Sequence, residues 1–503
     1  MPKFKTGEAR NQIVLFPKTI NEYIPNNHLS KLVFQIVSSL DLSNIINKFS
    51  DSGQHGYSPK ILVSILFYGY SIGIRSSRKL AKACEERVDF MFLSAKLCPG
   101  YKTISEFRKN NLQELMELFQ DIILIGIKLG LAKIGNIKVS IDGTKIRANA
   151  SSKQSKDEKG LEKLLSDVKE KVANIIKEAE ETDHEENLLF GNKRGDELPD
   201  ELQKLEDRKE KIKKSLQELR KEKDRLKNKI IKKKVKNKQL SKTEDKKIES
   251  RKINLTDPDA RFMKEREGCI KTNYNSQASV EEENQFILAF DVTDECNDKK
   301  QLIPMIEETE NNIKSNIDMC KADSGYHSIN NLCEISDREN MFIDDPYKKR
   351  VNNENFEYDK VNFKYDSITD SYICPKGKRL ELLSNKKDKR IYKCNVCDLC
   401  SAKKICAKKS KYKKLVRMKN EKFVEKNRKQ LLFENGIIEY KKRMHTVEPV
   451  FGNIKFNLGF RQFLLRGLLK VKGEFSLMCI AHNLKKIASY CCKNNIRLSN
   501  YVV

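Results

Sequence analysis

The sequence has no tryptophan, no long hydrophobic run and no apolar leader at its N-terminus. Its longest apolar stretches, 61–74 and 121–135, are too short or carry charged residues, and a membrane span needs about 20 apolar residues. The first residues, MPKFKTGEARNQ, are polar and lead into no apolar core, so we expect no secretory signal. We therefore expect a cytosolic protein, in which clustered cysteines indicate metal binding before disulfides.

Acidic residues are few relative to basic ones. The 503 residues include 99 Lys and Arg against 71 Asp and Glu, and the formal net charge is +28. This excess indicates a polyanionic partner, nucleic acid first and a membrane surface second, although a basic composition can also serve solubility alone. The length predicts two to four domains, and 38% hydrophobic residues are enough for a core.

Residues 1–137 are predicted to form a helical domain. The stretch 57–86 repeats apolar residues every three or four positions, and its second half groups basic side chains at Arg75, Arg78 and Lys79. A small helical module with a basic edge is suited to binding a DNA end. An ordinary helical packing domain fits these residues equally well.

Residues 153–252 are rich in Lys and Glu and have almost no aromatic residues. Two heptad runs of apolar residues, Leu161 to Ile175 and Leu202 to Ile230, are separated by the Gly- and Pro-containing link Gly191 to Pro199. This pattern predicts an antiparallel coiled-coil hairpin, with Lys223 interrupting the second apolar seam. Because strand-like sequence resumes afterwards, we interpret the hairpin as an insertion.

The residues around this insertion alternate between strand and helix patterns. KVSI, 138–141, alternates like a strand, Asp142 follows at its end, and Gly143 permits a sharp turn. With insertions ignored, the order is three strands, a helix, a strand, a helix, a strand and a helix. That order predicts an α/β ribonuclease H-like core with a mixed sheet. Its parts are 138–152, 253–347 and 414–492.

Asp142 and Asp323 end the first and fourth strands of this order, which are neighbours in the predicted sheet. The two carboxylates should then stand side by side in a crevice at the strand ends, although a lone Asp at a strand end is usually a turn residue. Like charges so close repel unless a cation lies between them. Two carboxylate-held divalent metals serve phosphodiester chemistry by activating the attacking oxygen and stabilising the leaving one. We predict Mg²⁺, or Mn²⁺, at this site.

The segment 445–471 is predicted to be the last helical part of the core, and it surrounds one acid with cations. Glu448 would supply a third carboxylate, while Pro449 should kink the helix or start it there. Lys455, two turns on, would share the face of Glu448 and hold a DNA phosphate. The candidate DNA contacts are Lys145, Arg147, Arg443, Lys455, Arg461 and Arg466.

Five sequence blocks carry a resemblance to a known family. SIDGTKIRANAS, TDPDARFMK, NYNSQASV, KADSGYHS and the segment 445–471 resemble a DDE transposase of bacterial insertion sequences, closest to insertion-sequence family eleven-eighty-two. The resemblance spans nearly the whole chain. It implies that Asp142, Asp323 and Glu448 are the D, D and E that bind metal. It also implies a homodimer acting on DNA ends in the bacterial cytoplasm, at the nucleoid.

The wider group of these transposases has a Tyr-Arg-Glu-Lys signature, which this chain matches in part. Glu448 and Lys455 have its six-residue gap, and Tyr440 and Arg443 have its two-residue gap. Four residues rather than three separate Arg443 from Glu448.

Residues 348–413 are predicted to be a Cys- and Lys-rich insertion. Two thiolates two residues apart can chelate one tetrahedral zinc, and a second pair completes the site. A structural Zn²⁺ is therefore predicted, with free thiols as the alternative. Four of five cysteines would bind it: Cys374, Cys394, Cys397, Cys400 and Cys406. His327 and His445 lie near the acids in sequence and are interpreted as hydrogen-bonding neighbours rather than metal ligands.

These expectations combine into one function. The chain would be a DNA transposase that binds the inverted-repeat ends of an insertion sequence, cleaves them with a two-metal DDE site and joins them to target DNA. One alternative is a catalytically inactive or domesticated DNA-binding protein. The other is a metal-dependent DNA nuclease without strand transfer. The presence of all three acids favours an active enzyme.

Overall fold

A computed structural model of the protein describes residues 18–49, 56–190, 200–233, 241–265, 268–346, 356–386, 388–408, 410–432, 434–498 and 501. The predicted link Gly191–Pro199 lies outside these residues. None of the helices described is both long and apolar enough to cross a membrane.

The N-terminal part of the chain is helical, as its apolar periodicity predicts. Its helices are α1 Leu29–Ser39, α2 Ser43–Ile46, α3 Pro59–Ser71, α4 Ser77–Glu86, α5 Val88–Leu93, α6 Tyr101–Asn110 and α7 Leu112–Leu129. α7 ends where Gly130 adopts φ +88°, a left-handed conformation that glycine reaches without steric cost.

The strands and the remaining helices follow in the second group of elements. The strands are β1 Lys138–Arg147, β2 Ser155–Lys156, β3 Ile253–Asn254, β4 Arg261–Lys264, β5 Ile270–Glu281, β6 Ile287–Thr293, β7 Met319–Ala322, β8 Met341–Ile343, β9 Lys364–Asp366, β10 Ser371–Ile373, β11 Arg379–Lys386, β12 Lys389–Cys394 and β13 Lys414–Met418. The helices are α8 Glu158–Phe190, α9 Asp200–Lys233, α10 Lys242–Glu249, α11 Leu302–Ile313, α12 Ile329–Glu334, α13 Lys403–Cys406, α14 Glu421–Leu432, α15 Glu434–Gly452 and α16 Leu468–Asn494.

A mixed sheet of β1 and β4–β8 lies at the centre of the molecule. β5 pairs antiparallel with β1 along one edge, and with β4 and then β6 along the other. On its far side β1 pairs in parallel with β7, and β7 pairs in parallel with β8. The fold is therefore a mixed helix-and-sheet structure in which β1 and β7 are neighbours.

The predicted turn at Gly143 is wrong, because β1 continues through it to Arg147. The parallel partner β7 stops opposite Ile141, but the antiparallel partner β5 pairs with β1 as far as Arg147. β5 thus holds the second half of β1 extended, and Asp142 lies in mid-strand rather than at a strand end.

α8 and α9 pack against each other through a small apolar cluster that includes Leu161, Ile212 and Leu219. Lys223 is only 3% exposed within this pair of helices. Its ammonium lies 2.7 Å from the Glu158 carboxylate and 2.9 Å from the Glu249 carboxylate. A buried charge is tolerated when it is paired in this way, so this lysine fits inside the interrupted seam.

β9–β13 form a second, antiparallel sheet in the order β13-β12-β11-β10-β9. Its own apolar cluster includes Tyr372, Leu380 and Tyr392. β13 pairs with β12 as far as Met418, so this sheet extends past the predicted boundary at residue 413.

α16 connects the N-terminal helices to the central sheet. Phe290 of β6 lies 4.9 Å from the Phe119 ring of α7 and 6.1 Å from the Phe475 ring of α16, measured between ring centroids. The N-terminal helices, the sheet and α16 therefore share one hydrophobic core.

Candidate active site

Asp142 and Asp323 lie next to each other at the point where β7 ends. The last parallel pair joins Ile141 of β1 to Ala322 of β7, and the two acids follow these residues. Asp142 is buried, whereas the Asp323 side chain is 39% exposed. The structure therefore brings the two predicted acids together on neighbouring parallel strands.

The turn after β7 orients Asp323. Its carboxylate accepts a hydrogen bond from the Gly325 amide at 2.7 Å, at the start of the 3₁₀ turn Ser324–Tyr326. A Cβ atom on Gly325 would lie 2.8 Å from Asp323 Oδ1, too close for an ordinary contact. A residue without a side chain is needed at this position so that the carboxylate can bend back onto its own turn.

Glu448 lies on α15, which packs across β1, β5 and β7. The predicted helix start at Pro449 is wrong, because α15 begins at Glu434 and runs through this proline to Gly452. Proline has no N–H to donate to the carbonyl four residues earlier, which belongs to His445. That carbonyl accepts instead from the side-chain amide of Gln285 at 2.8 Å. The turn before β6 thus replaces the lost helical hydrogen bond.

The segment 445–471 is not one continuous helix, which corrects the prediction. A π-helical turn, Asn453–Asn457, follows α15, and α16 begins only at Leu468. The connection is held by buried Glu474, which accepts hydrogen bonds at 2.9 Å from the backbone amides of Leu464 and Leu465.

Arg443 lies between the two neighbouring acids. Its Nη2 is 3.4 Å from Asp142 Oδ2 and 3.7 Å from Asp323 Oδ2, and its side chain is 9% exposed. Burial disfavours its charge, but the carboxylates of Asp142, Asp323 and Glu448 act on it and raise its pKa. This arginine is the internal counter-charge of all three acids.

The acidity of Asp142 reflects this environment. Burial raises the pKa of its carboxyl, the Arg443 guanidinium lowers it and the Asp323 charge raises it, and the net pKa is about 6. The backbone amide of Gly143 also donates to Asp142 Oδ1 at 2.9 Å. The effect of burial on the pKa is the largest of these, so this acid carries its charge less readily than an exposed aspartate.

The other predicted DNA-contact residues already have contacts within the protein. Lys455 Nζ donates to the Lys145 carbonyl at 2.9 Å, and Lys145 Nζ lies 3.5 Å from Asp298 Oδ1. The Arg466 side chain donates to the Asn149 carbonyl at 2.9 Å. Two of the predicted DNA-contact residues remain accessible to solvent. Arg147 is half-exposed, and the Arg461 guanidinium lies 4.7 Å from the ring centroid of exposed Phe456.

Asp298 stands beside the two acids, but no local sequence pattern marks it as a site residue. It lies in the connection between β6 and α11, where a DECND segment resembles any exposed acidic turn. Its charge acts on Asp142, and its carboxylate accepts hydrogen bonds from two buried side chains of β5. Only its three-dimensional neighbours distinguish it from the other acids of that loop.

Within the described residues, no three acid, histidine or cysteine side chains lie close enough together to hold a metal ion. Asp142 and Asp323 still offer the oxygen ligands that Mg²⁺ prefers, with a guanidinium between them. His327 is half-buried, and burial lowers its pKa. His445 is exposed on α15.

The five cysteines of the second sheet line one small cavity. The Cys374 sulfur accepts from the Lys378 amide at 3.2 Å, and the Cys397 sulfur from the Lys413 amide at 3.5 Å. Burial, together with the neighbouring Cys397 and Cys374, raises the pKa of Cys394 to about 11. Zinc binding here stays a prediction.

Two regions of the chain match known families. Residues 373–488 match the model named Transposase DDE domain, and residues 18–110 match the model named Transposase domain (DUF772). The first match includes Glu448, the five clustered cysteines and strands β11 to β13 of the second sheet, but not Asp142 or Asp323. No curated protein and no solved structure gives a match.

These matches support a transposase as the class of protein. More particularly, they support a DDE transposase of the insertion-sequence type, without distinguishing among insertion-sequence families. A DDE domain suggests an enzyme of the nucleotidyl-transferase or endonuclease type, and DDE transposases generally use Mg²⁺ or Mn²⁺. The transposase domains also imply DNA as a partner.

Proposed function

We propose that this chain binds the inverted-repeat ends of its insertion sequence, cleaves them and joins them to target DNA. The catalytic acids of this reaction are Asp142, Asp323 and Glu448. The observation that carries the proposal is the position of Asp142 and Asp323 on neighbouring parallel strands, with the helix of Glu448 packed across them.

The topology of the central sheet supports a ribonuclease H-like core. The hydrogen-bonded order β6-β5-β1-β7-β8, with only β1, β7 and β8 parallel, is the order that such a core requires. In the proposed organisation, 1–137 is a helical DNA-binding domain and 138–152, 253–347 and 419–492 form the core. The segment 153–252 is a coiled-coil insertion, and the Cys-rich insertion is extended from 348–413 to residue 418 so that it includes β13.

In the proposed mechanism Asp142, Asp323 and Glu448 would hold the metal ions, and DNA supplies the reacting phosphate. A bound pair of Mg²⁺ or Mn²⁺ ions would activate the attacking oxygen and stabilise the leaving one. Arg443 neutralises the acids in the metal-free chain, and with metal bound its guanidinium would be available to a phosphate oxygen. Arg443 therefore places a positive charge at the point where the proposed reaction needs one.

The remaining contacts concern DNA. The +28 net charge and the half-exposed Arg147 suit a phosphate backbone. A homodimer that holds both ends belongs to the same proposal, since joining two ends needs two active sites close together.

The test is cleavage of a labelled duplex carrying the element's own end, with Asp142→Asn, Asp323→Asn and Glu448→Gln. Each should abolish cleavage, in Mg²⁺ or Mn²⁺, while leaving end binding nearly intact, because affinity rests on Lys and Arg. The losses should not add, since one missing ligand disables the same metal pair. Asp337→Asn, an exposed acid outside the site, is the control and should cleave normally.

The same assay separates the alternatives. Cleavage by Asp323→Asn at the wild-type rate would place the site elsewhere. A wild-type chain that binds ends but never cuts them would favour a domesticated DNA-binding protein. Cutting without joining to a target duplex would favour a nuclease.

A further inference from the structure

A buried chain of polar side chains connects Asp298 to the active-site strands. Asp298 Oδ1 accepts hydrogen bonds from Asn275 Nδ2 at 2.6 Å and from Gln277 Nε2 at 2.8 Å, and it lies 3.5 Å from Lys145 Nζ. Asn275 and Gln277 are fully buried on β5, and Lys145 is on β1. Three donors on two strands thus converge on one carboxylate oxygen.

The chain continues from Gln277 to the turn that carries Asp323. The Gln277 side-chain oxygen accepts a hydrogen bond from the Tyr326 hydroxyl, and Tyr326 is fully buried. Tyr326 closes the 3₁₀ turn, since its amide donates to the Asp323 carbonyl at 3.1 Å. Asp298 and the Asp323 turn are therefore joined through a single glutamine.

Two glycines leave room for this arrangement. A Cβ atom on Gly143, next to Asp142, would overlap Gln277 Nε2 and lie 2.8 Å from Asp298 Oδ1. A Cβ atom on Gly325 would lie 3.3 Å from Asp298 Oδ2. Asp298 thus approaches the backbone beside both acids, with Oδ1 toward Gly143 of β1 and Oδ2 toward Gly325 of the turn after β7.

Burying so many polar groups is costly unless each one is satisfied, and a satisfied network holds its members in one arrangement. An apolar contact could support the Asp323 turn at lower cost. Carboxylates and amides that orient metal ligands from behind typically change metal affinity or activity by 10- to 100-fold when they are removed.

We infer that Asp298 is a positioning residue of the active site, which holds the Asp323 turn beside Asp142 through Gln277 and Tyr326. The inference rests on the proposed function, because it assigns to Asp298 the orientation of a metal-binding acid. Oδ1 of Asp298 is engaged by the two amides and the lysine, which is the contact set of a positioning residue.

The test is Mn²⁺ affinity of the DNA-free full-length chain, measured by electron paramagnetic resonance. Asp298→Asn should weaken Mn²⁺ binding about ten-fold. Tyr326→Phe removes only the hydroxyl at the other end of the chain and should weaken binding in the same direction. The double variant should lose less than the two single losses combined, because both act through Gln277.

The matched control is Asp294→Asn, four residues earlier in the same connection, which loses an ion pair with Arg261 at 3.4 Å. It should bind Mn²⁺ like the wild type. If Asp298→Asn and Tyr326→Phe also bind like the wild type, the inference is overturned while the proposed function stands. A wild-type chain that binds no Mn²⁺ would overturn the metal site of the proposed function and this inference with it.

If Asp298→Asn does not fold, Tyr326→Phe decides alone. Weaker Mn²⁺ binding by a Tyr326→Phe protein with the wild-type melting temperature supports positioning, and unchanged binding overturns it.

Discussion

Arg443 and Asp142 form a buried ion pair at the centre of the site, with 3.4 Å between Nη2 and Oδ2. The pair joins α15, the helix of Glu448, to the middle strand of the sheet. Without this guanidinium, Asp142 and Asp323 would face each other with no counter-charge between them. The Arg443 guanidinium is therefore the counter-charge of these two acids in the metal-free protein.

Arg443→Gln should lower the free energy of unfolding by about 3 kcal/mol at pH 8 in metal-free buffer, because it leaves a buried carboxylate unpaired. Added Mn²⁺ should restore more stability to this variant than to the wild type. Urea denaturation measures both effects. Arg147→Gln, which loses a half-exposed arginine 3.9 Å from Glu265, is the control and should change stability by about 0.5 kcal/mol or less. Equal stability of the two variants would contradict the role given to Arg443.

Gln285 and Pro449 should be energetically coupled through the His445 carbonyl. Gln285→Asn keeps a residue that tolerates the local φ of +57° but shortens the side chain, so it should cost about 1–2 kcal/mol. In a Pro449→Ala background the helix supplies its own N–H to that carbonyl. The cost of Gln285→Asn should then fall by about 1 kcal/mol in a double-mutant cycle. Strictly additive effects would show that the amide does not replace the helical bond.

His482 makes stability fall under mildly acidic conditions. Burial lowers its pKa from 6.5 to about 4, and its ring nitrogens contact the Gln285 carbonyl at 2.9 Å and the Asn453 amide at 3.1 Å. Below pH 6.5 the unfolded chain takes up a proton at this residue, while the folded chain does not until about pH 4. The stabilisation that neutral, buried His482 gives to the folded state is thus complete above pH 6.5 and is lost as the pH falls.

Between pH 6.5 and 4 this loss amounts to about 3 kcal/mol. His482→Gln should flatten the pH dependence of the free energy of unfolding over that range. His445→Gln, at an exposed position, should keep the wild-type slope. A His482→Gln chain with an unchanged slope would refute the assignment.

The cysteine cavity should hold about one zinc per chain in protein purified without chelator. Cys397→Ser should lose that zinc and lower the melting temperature, since bound metal stabilises the folded state. Cys98→Ser, at an exposed cysteine of the N-terminal helices, should keep it. Metal analysis by mass spectrometry is the measurement. Freshly prepared, reduced and folded protein without zinc would leave free thiols as the correct interpretation.

Asp142 and Asp323 could be proposed from the sequence because a strand pattern is local. KVSI and MCKA each have the short pattern of a strand, and the sequence shows an acid directly after each of them, Asp142 and Asp323. That the two acids lie side by side could be predicted from the order of the elements, because few sheet topologies accommodate that order. The α8–α9 pair is similarly visible, because its apolar residues repeat at helical spacing.

The errors lie where a distant segment overrides a local signal. Gly143 permits a turn, but pairing with β5 keeps it in the strand. Pro449 predicts a break, but Gln285, more than 150 residues away, satisfies the carbonyl that the proline leaves free. The propensity of an ordinary residue is worth about 1 kcal/mol, which is the size of one tertiary hydrogen bond, so pairing with β5 can outweigh it at Gly143. A proline inside a helix costs about 3 kcal/mol, so the Gln285 hydrogen bond offsets part of that cost and the packing of α15 on β1, β5 and β7 supplies the rest.

Residue type, apolar period and order of elements therefore sufficed for the class of fold and for the three candidate acids, since these properties depend on neighbours in the chain. Tertiary packing alone decided that Arg443 lies between two of the acids and that Asp298 is joined to the Asp323 turn through Gln277 and Tyr326. Those contacts join residues far apart in sequence, and burial gives them their strength because charges and hydrogen bonds count for more where water is excluded.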